Sequence, residues 1–252
     1  MLNPKSLLHL LSIALLLIGT KLIMAQPITH STNLNDSITH ISFKPPPDES
    51  QPDQTIPAGS RQPSRCGQDI TGVSTANSYY LMALVPSSNY GLTIAERPTF
   101  FIALPKTSAK QVVLSIKEEG KQHHSQTLLS IKDSPGIISI QPSEKSPPLA
   151  VGKKYQWSVV LVCGTKPGPN DPAIMSWVRR VDLPQTAPSG LQKENALAQA
   201  LWYGEQGLWY DTLNALVKAK RSQPESQVMS DIWTNFLTSV GLSDISSQSL
   251  RP

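Results

Sequence analysis

From residue 77 to residue 182 short apolar runs, rich in Val, Ile and aromatic side chains, alternate with Pro and Gly punctuation. Successive strand residues point to opposite faces, so alternation at period two predicts half-buried strands, and a series of short ones predicts an all-β sandwich. The runs are 79–85, 99–104, 111–117, 123–129, 136–141, 154–163 and 174–181. Between the third and fourth, Glu118-Glu119-Gly120-Lys121 reads as a hairpin turn, with Gly120 where φ becomes positive. His123 and His124 follow as strand neighbours facing opposite ways, which prevents them from sharing a metal ion.

The most specific β signal is Leu149 to Tyr155, followed at period two by Trp157, Val159, Leu161 and Cys163. It resembles the Leu-x5-Tyr corner of fibronectin-like sandwiches, where a phenol caps backbone between two sheets. On this reading Trp157 and Cys163 face the core; the alternative for Trp157 is a stacking platform for a sugar ring. Residues 66–184 are thus expected to form a fibronectin/Ig-like β-sandwich domain in a chain that is mainly β with α.

The period changes after a second linker at 184–190. Over 193–206 Leu197, Ala198, Leu201 and Trp202 recur at helical spacing, Gly207 interrupts, and 209–221 repeats the pattern with Leu213, Leu216 and Val217. A third helix, 225–240, sets Val228, Ile232, Trp233, Phe236 and Leu237 on one face and stops at Gly241. Gly207, Trp209, Leu216, Ala219 and Pro224 resemble one tetratricopeptide-repeat hairpin, with Thr212 where that repeat prefers Ala. One such hairpin leaves its apolar face uncovered, so the helical segment 191–245 must dock. The third helix and the sandwich are expected to cover the Trp and Leu stripe, the alternative being that part of it stays open to a partner.

The first 65 residues differ in kind. Lys5, an apolar stretch over 7–18 and Ile23-Met24-Ala25 before Gln26 read as a signal peptide, 1–25, cleaved between Ala25 and Gln26. Lys21 closes the apolar run short of the roughly 20 residues that span a bilayer; the alternative is a retained anchor, which would be the chain's contact with a membrane. Residues 26–65 are Pro, Ser, Thr, Gln and Asp with few large apolar side chains, the composition of a disordered linker, and His30 and His40 lie within it. Removal of 1–25 takes Lys5 and Lys21, so 22 basic residues become 20 against 18 acidic ones and the net charge falls from +4 to +2. That leaves no electrostatic footprint for nucleic acid. A secreted or periplasmic location also favours a disulfide between Cys66 and Cys163, the only two cysteines. The alternative, a nucleophilic thiol, needs a positioned His.

No phosphate-binding Gly loop, His-Glu-x-x-His helix, Gly-x-Ser-x-Gly elbow or paired-cysteine zinc pattern occurs, so neither a metal nor a cofactor is expected and no catalytic residue is assigned. Glu96-Arg97, just before Pro98, can serve as acid and ligand clamp, or as structural hydrogen-bonding groups that fix the chain where it joins a strand. Trp177 and Arg179 share one strand face, a stacking or cation–π candidate for a ligand.

Leu81 to Pro86, Gly91 to Phe100, Pro135-Gly136-Ile137, Tyr155-x-Trp157 with Cys163, Trp177 to Val181, Ala200 to Tyr203, Trp209-Tyr210-Asp211 and Ser239 to Leu242 together resemble a cyanobacterial family of exported proteins, the domain of unknown function 928. The resemblance implies export and a shared fold and brings no activity with it. The expected function is a non-catalytic binding or scaffolding module at the cell envelope, its partner an envelope protein or glycan. One alternative is an envelope hydrolase pairing Glu96 with Asp133 or Asp171; another is a structural subunit of an envelope assembly.

Overall fold

The computed structural model describes residues 38–46, 66, 81–121, 123–132 and 135–251. The expected signal peptide, the Ala25–Gln26 junction and Asp133 lie outside these residues. Eight strands are present: β1 (Met82–Ala83), β2 (Tyr90–Thr93), β3 (Phe100–Leu104), β4 (Gln111–Glu118), β5 (Ser125–Ser130), β6 (Gly136–Ile140), β7 (Lys154–Val162) and β8 (Ala173–Arg180). Three α-helices follow: α1 (Ala196–Glu205), α2 (Trp209–Ser222) and α3 (Gln227–Ser239). One sheet has the order β1-β3-β6 and the other β2-β8-β7-β4-β5.

The sheets meet through their apolar faces. On β7, Tyr155, Trp157, Val159 and Leu161 are buried in alternation with partly exposed neighbours, and Trp157 stacks on Phe100 of β3 with ring centroids 4.6 Å apart. All five residues of β3 are buried, as a continuous apolar run requires. The Tyr155 hydroxyl accepts the Ala150 N–H at 2.9 Å, tying the phenol to the chain five residues upstream. Cys66 and Cys163 are bonded across a separation of 97, and the Cys66 carbonyl also accepts from Ser108 N and Oγ. Closing a loop of that length removes unfolded-chain entropy worth about 4 to 5 kcal/mol.

Three features depart from the sequence-based expectation. The strand β2 was not predicted, and it pairs in parallel with β8, whereas a fibronectin-like sandwich is antiparallel throughout. It has four residues, all buried, so no alternation marks it. The predicted strand at 123–129 starts at Ser125, because the ring of His124 turns aside to Pro147 O at 3.0 Å and lies edge-on to Tyr155. In α3, Val228 is exposed and Met229 takes the core position expected of it.

The helices do not form a separate layer. The described residues cluster as one compact unit, and a single apolar core runs through both sheets and all three helices. Three consecutive residues at the start of α2 make the junction. Trp209 Nε1 donates to Leu84 O at 3.0 Å, just beyond β1. The Tyr210 hydroxyl accepts from Trp157 Nε1 at 2.7 Å and donates to Trp177 O at 2.9 Å. An Asp211 carboxylate oxygen accepts the Ile94 N–H at 3.1 Å, just beyond β2. The strands β1 and β2 are edges of different sheets, so α2 closes the seam between them. Gly91 of β2 makes the approach feasible: a Cβ there would stand 2.8 Å from Trp209 Cβ and 3.0 Å from the Tyr210 ring.

The expected linker is partly docked. Within 26–65, residues 38–46 lie against the helices, with Ile41 only 1% exposed and Phe43 edge-on to Trp209 at 5.0 Å. Ile38, Ile41 and Phe43 are apolar at nearly alternate positions, enough for this short segment to bury side chains despite its polar surroundings. At the other end of the chain, Ile137 N donates to Ser249 O and Arg251 N to Ile137 O, both at 2.8 Å, so the tail adds one parallel bridge to the edge of β6.

Two expectations follow from the junction. Tyr210→Phe leaves a buried indole N–H and the Trp177 carbonyl without their partner, and should cost about 2 to 4 kcal/mol in the denaturant midpoint-derived stability. Burial raises the Asp211 carboxyl from 3.8 to about 6, against the opposing hydrogen bonds from Ile94 and Thr93. An acid raised in the folded state holds its proton more tightly there. Its contribution is therefore favourable below about pH 4 and is lost as pH rises through about 6, by up to about 3 kcal/mol. Asp211→Asn keeps an oxygen for the Ile94 N–H and should flatten the stability profile between pH 4 and pH 7, measured by urea denaturation at each pH.

Candidate functional site

Glu96 and Arg97 lie in the turn between β2 and β3. Arg97 Nη1 donates to Glu96 Oε1 at 2.5 Å and Nη2 to Ser146 O at 2.9 Å, while Glu96 O accepts the Leu149 N–H at 2.9 Å. The pair thus fastens the turn to the segment that leads into β7. The two charges differ in exposure: the Glu96 side chain is 56% exposed, whereas that of Arg97 is 28% exposed and its Nε is buried. Asp171 sits in the loop from β7 to β8, where a carboxylate oxygen accepts the Gly168 N–H at 2.8 Å. Glu96 is next to the start of β7 and Asp171 beyond its end, since Leu149 touches the first and Leu161 bonds to Pro172 beside the second. Nearly the whole of nine-residue β7 separates them, more than about 20 Å. The two carboxylates therefore do not share a site.

Ser176 and Val178 of β8 point into the core, so Trp177 and Arg179 stand on the opposite face of the five-stranded sheet. Both are half-buried. On that face Trp177 is in register with Tyr90, and Lys154 lies over the Tyr90 ring at 5.7 Å, a cation–π contact one strand away from the expected position. The long-range bonds of Trp177 are made by its backbone, whose N–H donates to Asn89 O at 3.2 Å and whose carbonyl accepts from the Tyr210 hydroxyl. Cys66 and Cys163 are engaged in their disulfide and supply no thiol. Among the described residues no three His, Cys, Asp or Glu side chains are grouped to hold a metal ion.

A concavity lies elsewhere, at the seam opposite α2. There β5 and β6, edges of different sheets, part from one another around a cleft of about 480 Å³. Leu129, Ile131 and Ile138 give it an apolar wall, and Lys132, Gln141 and Arg251 a polar one, with no acid among the described lining residues. A bond from Ser143 N to Thr127 Oγ1 at 3.1 Å closes one end. Apart from the bridge to Leu250, neither facing edge has a ladder partner among the described residues. Ile137 turns its N–H and C=O outward to the tail, so Ser139, two residues on, presents its own backbone groups to the cleft side.

None of these lining residues was singled out from sequence. The available signal was the polar connection Ile131-Lys132-Asp133-Ser134-Pro135, too long for a tight hairpin between two apolar runs. A connection of that kind lets the strands separate into different sheets. For the turn at Glu96-Arg97 the geometry gives a direct expectation: Arg97→Ala frees the Ser146 carbonyl and should lower stability by about 1 kcal/mol. An unchanged melting temperature would contradict a bracing role.

No curated protein and no solved structure matches the chain. Residues 56–250, well over half of the sequence, match the profile of the family described as Domain of Unknown Function (DUF928). That span holds both sheets, all three helices, the α2 junction and the cleft between β5 and β6, and the chain belongs to the DUF928 family.

Proposed function

We propose that this protein is exported by cleavage after Ala25 and acts at the cell envelope as a non-catalytic binding module, taking an extended, acidic segment of a partner protein into the β5–β6 cleft. The observation that carries the reading is the cleft itself: two strand edges without ladder partners among the described residues, facing one another across apolar side chains, with Lys132 and Arg251 as its described charges. Strand addition supplies affinity through main-chain hydrogen bonds, and flanking side chains select the sequence. The cations Lys132 and Arg251, with no acid among the described lining residues, favour an acidic segment. The Cys66–Cys163 bridge is compatible with an oxidising compartment, and no described helix is long and apolar enough to cross a membrane.

The fold reading belongs with this proposal. The Tyr155–Ala150 bond supports kinship with fibronectin-like sandwiches, modified by the parallel β2 strand, and the Gly207 turn between α1 and α2 supports a tetratricopeptide-like hairpin. A hydrolase centred on Glu96 has less support, because Asp171 is distant and Arg97 occupies the carboxylate.

The test compares two baits in envelope extract, the wild-type chain and Ser139→Pro, which removes an edge N–H that no described ladder uses. A partner captured by wild type and lost with Ser139→Pro, and weakened by Lys132→Glu, is the expected result. Identical capture by both baits, or a glycan retained by both, would place binding elsewhere.

A further inference from the structure

The surface formed by the end of α1 and the start of α2 is built around an extended peptide. Lys44 N donates to Gly204 O at 3.0 Å, so the segment supplies one of the caps for the C-terminal carbonyls of α1. Ser42 O lies so close to Gly204 that a Cβ there would overlap it, and a Cβ on Gly207 would stand 2.8 Å from Lys44 O and 3.2 Å from Pro46. Gly207 also has φ +72°, so two glycines make a floor flat enough for backbone to rest on. Ile41 is buried to one side and Phe43 meets the Trp209 ring edge-on. Pro45 and Pro46 cannot donate, which fixes Lys44 as the bonded residue and holds the strand extended.

Nothing in this arrangement depends on which molecule the peptide comes from. Between Pro46 and Cys66 lie 19 residues rich in Pro, Ser and Gln, a length of chain that spans at most about 70 Å. The segment is also outside the family-matched span, which begins at residue 56, so the groove belongs to the family's fold and its occupant to the leader. We propose that the α1–α2 groove is a peptide-recognition site for an extended Ile-x-Phe-x-Pro-Pro sequence, filled in cis by residues 38–46 and open to the same segment of a second copy, so that copies join by exchanging this strap.

The experiment uses two full-length variants. Gly204→Ala closes the groove and frees its strap; Ile41→Asp with Phe43→Asp disables the strap and opens the groove. Each alone should be monomeric by light scattering, and mixing should give a one-to-one heterodimer that excess synthetic 38–46 peptide dissolves. Two folded variants that do not associate would overturn the proposal. A second measurement uses the same peptide, fluorescently labelled, on both the wild-type chain and Phe43→Ala. Because the tethered strap competes at high effective concentration, Phe43→Ala should bind the peptide about tenfold or more tightly than wild type. A peptide carrying Lys44→Pro, which loses the bond to Gly204, should bind about tenfold more weakly. Equal binding of the two peptides, or binding that another Pro-rich sequence reproduces, would also overturn it.

Discussion

Three adjacent side chains at the start of one helix place their polar atoms in the apolar seam between two sheets, and each must find a partner there. Burial of an indole N–H, a phenol and a carboxylate is unfavourable unless each is hydrogen-bonded. Trp209, Tyr210 and Asp211 meet that requirement with Leu84, Trp157, Trp177 and Ile94, groups drawn from both sheets. The helix cannot slide or rotate without leaving several of them unpaired. That constraint sets the position of α2, and through it the positions of α1, α3 and the strap.

The two seams between the sheets are treated differently. Between β1 and β2 the seam is sealed, with Gly91 allowing the helix to come into contact. Between β5 and β6 it stays open as the cleft. The residues through which the chain resembles its family, among them Gly91, Trp157, Trp177 and Trp209-Tyr210-Asp211, converge on the sealed seam and hold it together. Binding is proposed instead for the surfaces on which backbone groups or glycines are presented, the open seam and the strap groove.

Much of this was legible in the sequence, for physical reasons. A strand such as β7 buries one face of a long alternation, and all three helices carry an apolar stripe with clear stops, so their ranges were readable to within a few residues. The pairing of Cys66 with Cys163 needed only a count. The strand β2 was not readable, because four residues buried on both faces leave no period and a parallel pair needs no adjacent turn. Docking of 38–46 was hidden by its composition: three apolar side chains in a polar tract become significant only where a groove exists to take them. Glu96-Arg97 drew attention as a charge pair, whereas the cleft is made by backbone edges, and no residue type marks an unpaired edge.

The central claim is that sheets and helices unfold as one body because the α2 junction couples them. Hydrogen exchange followed by mass spectrometry at increasing urea addresses it directly, since it reports each segment's opening separately. Peptides from β4 and β7 and peptides from α2 and α3 should lose protection together, at one urea concentration. Loss of protection in the helices at clearly lower urea, with the sheets still protected, would show two independent domains and contradict the account.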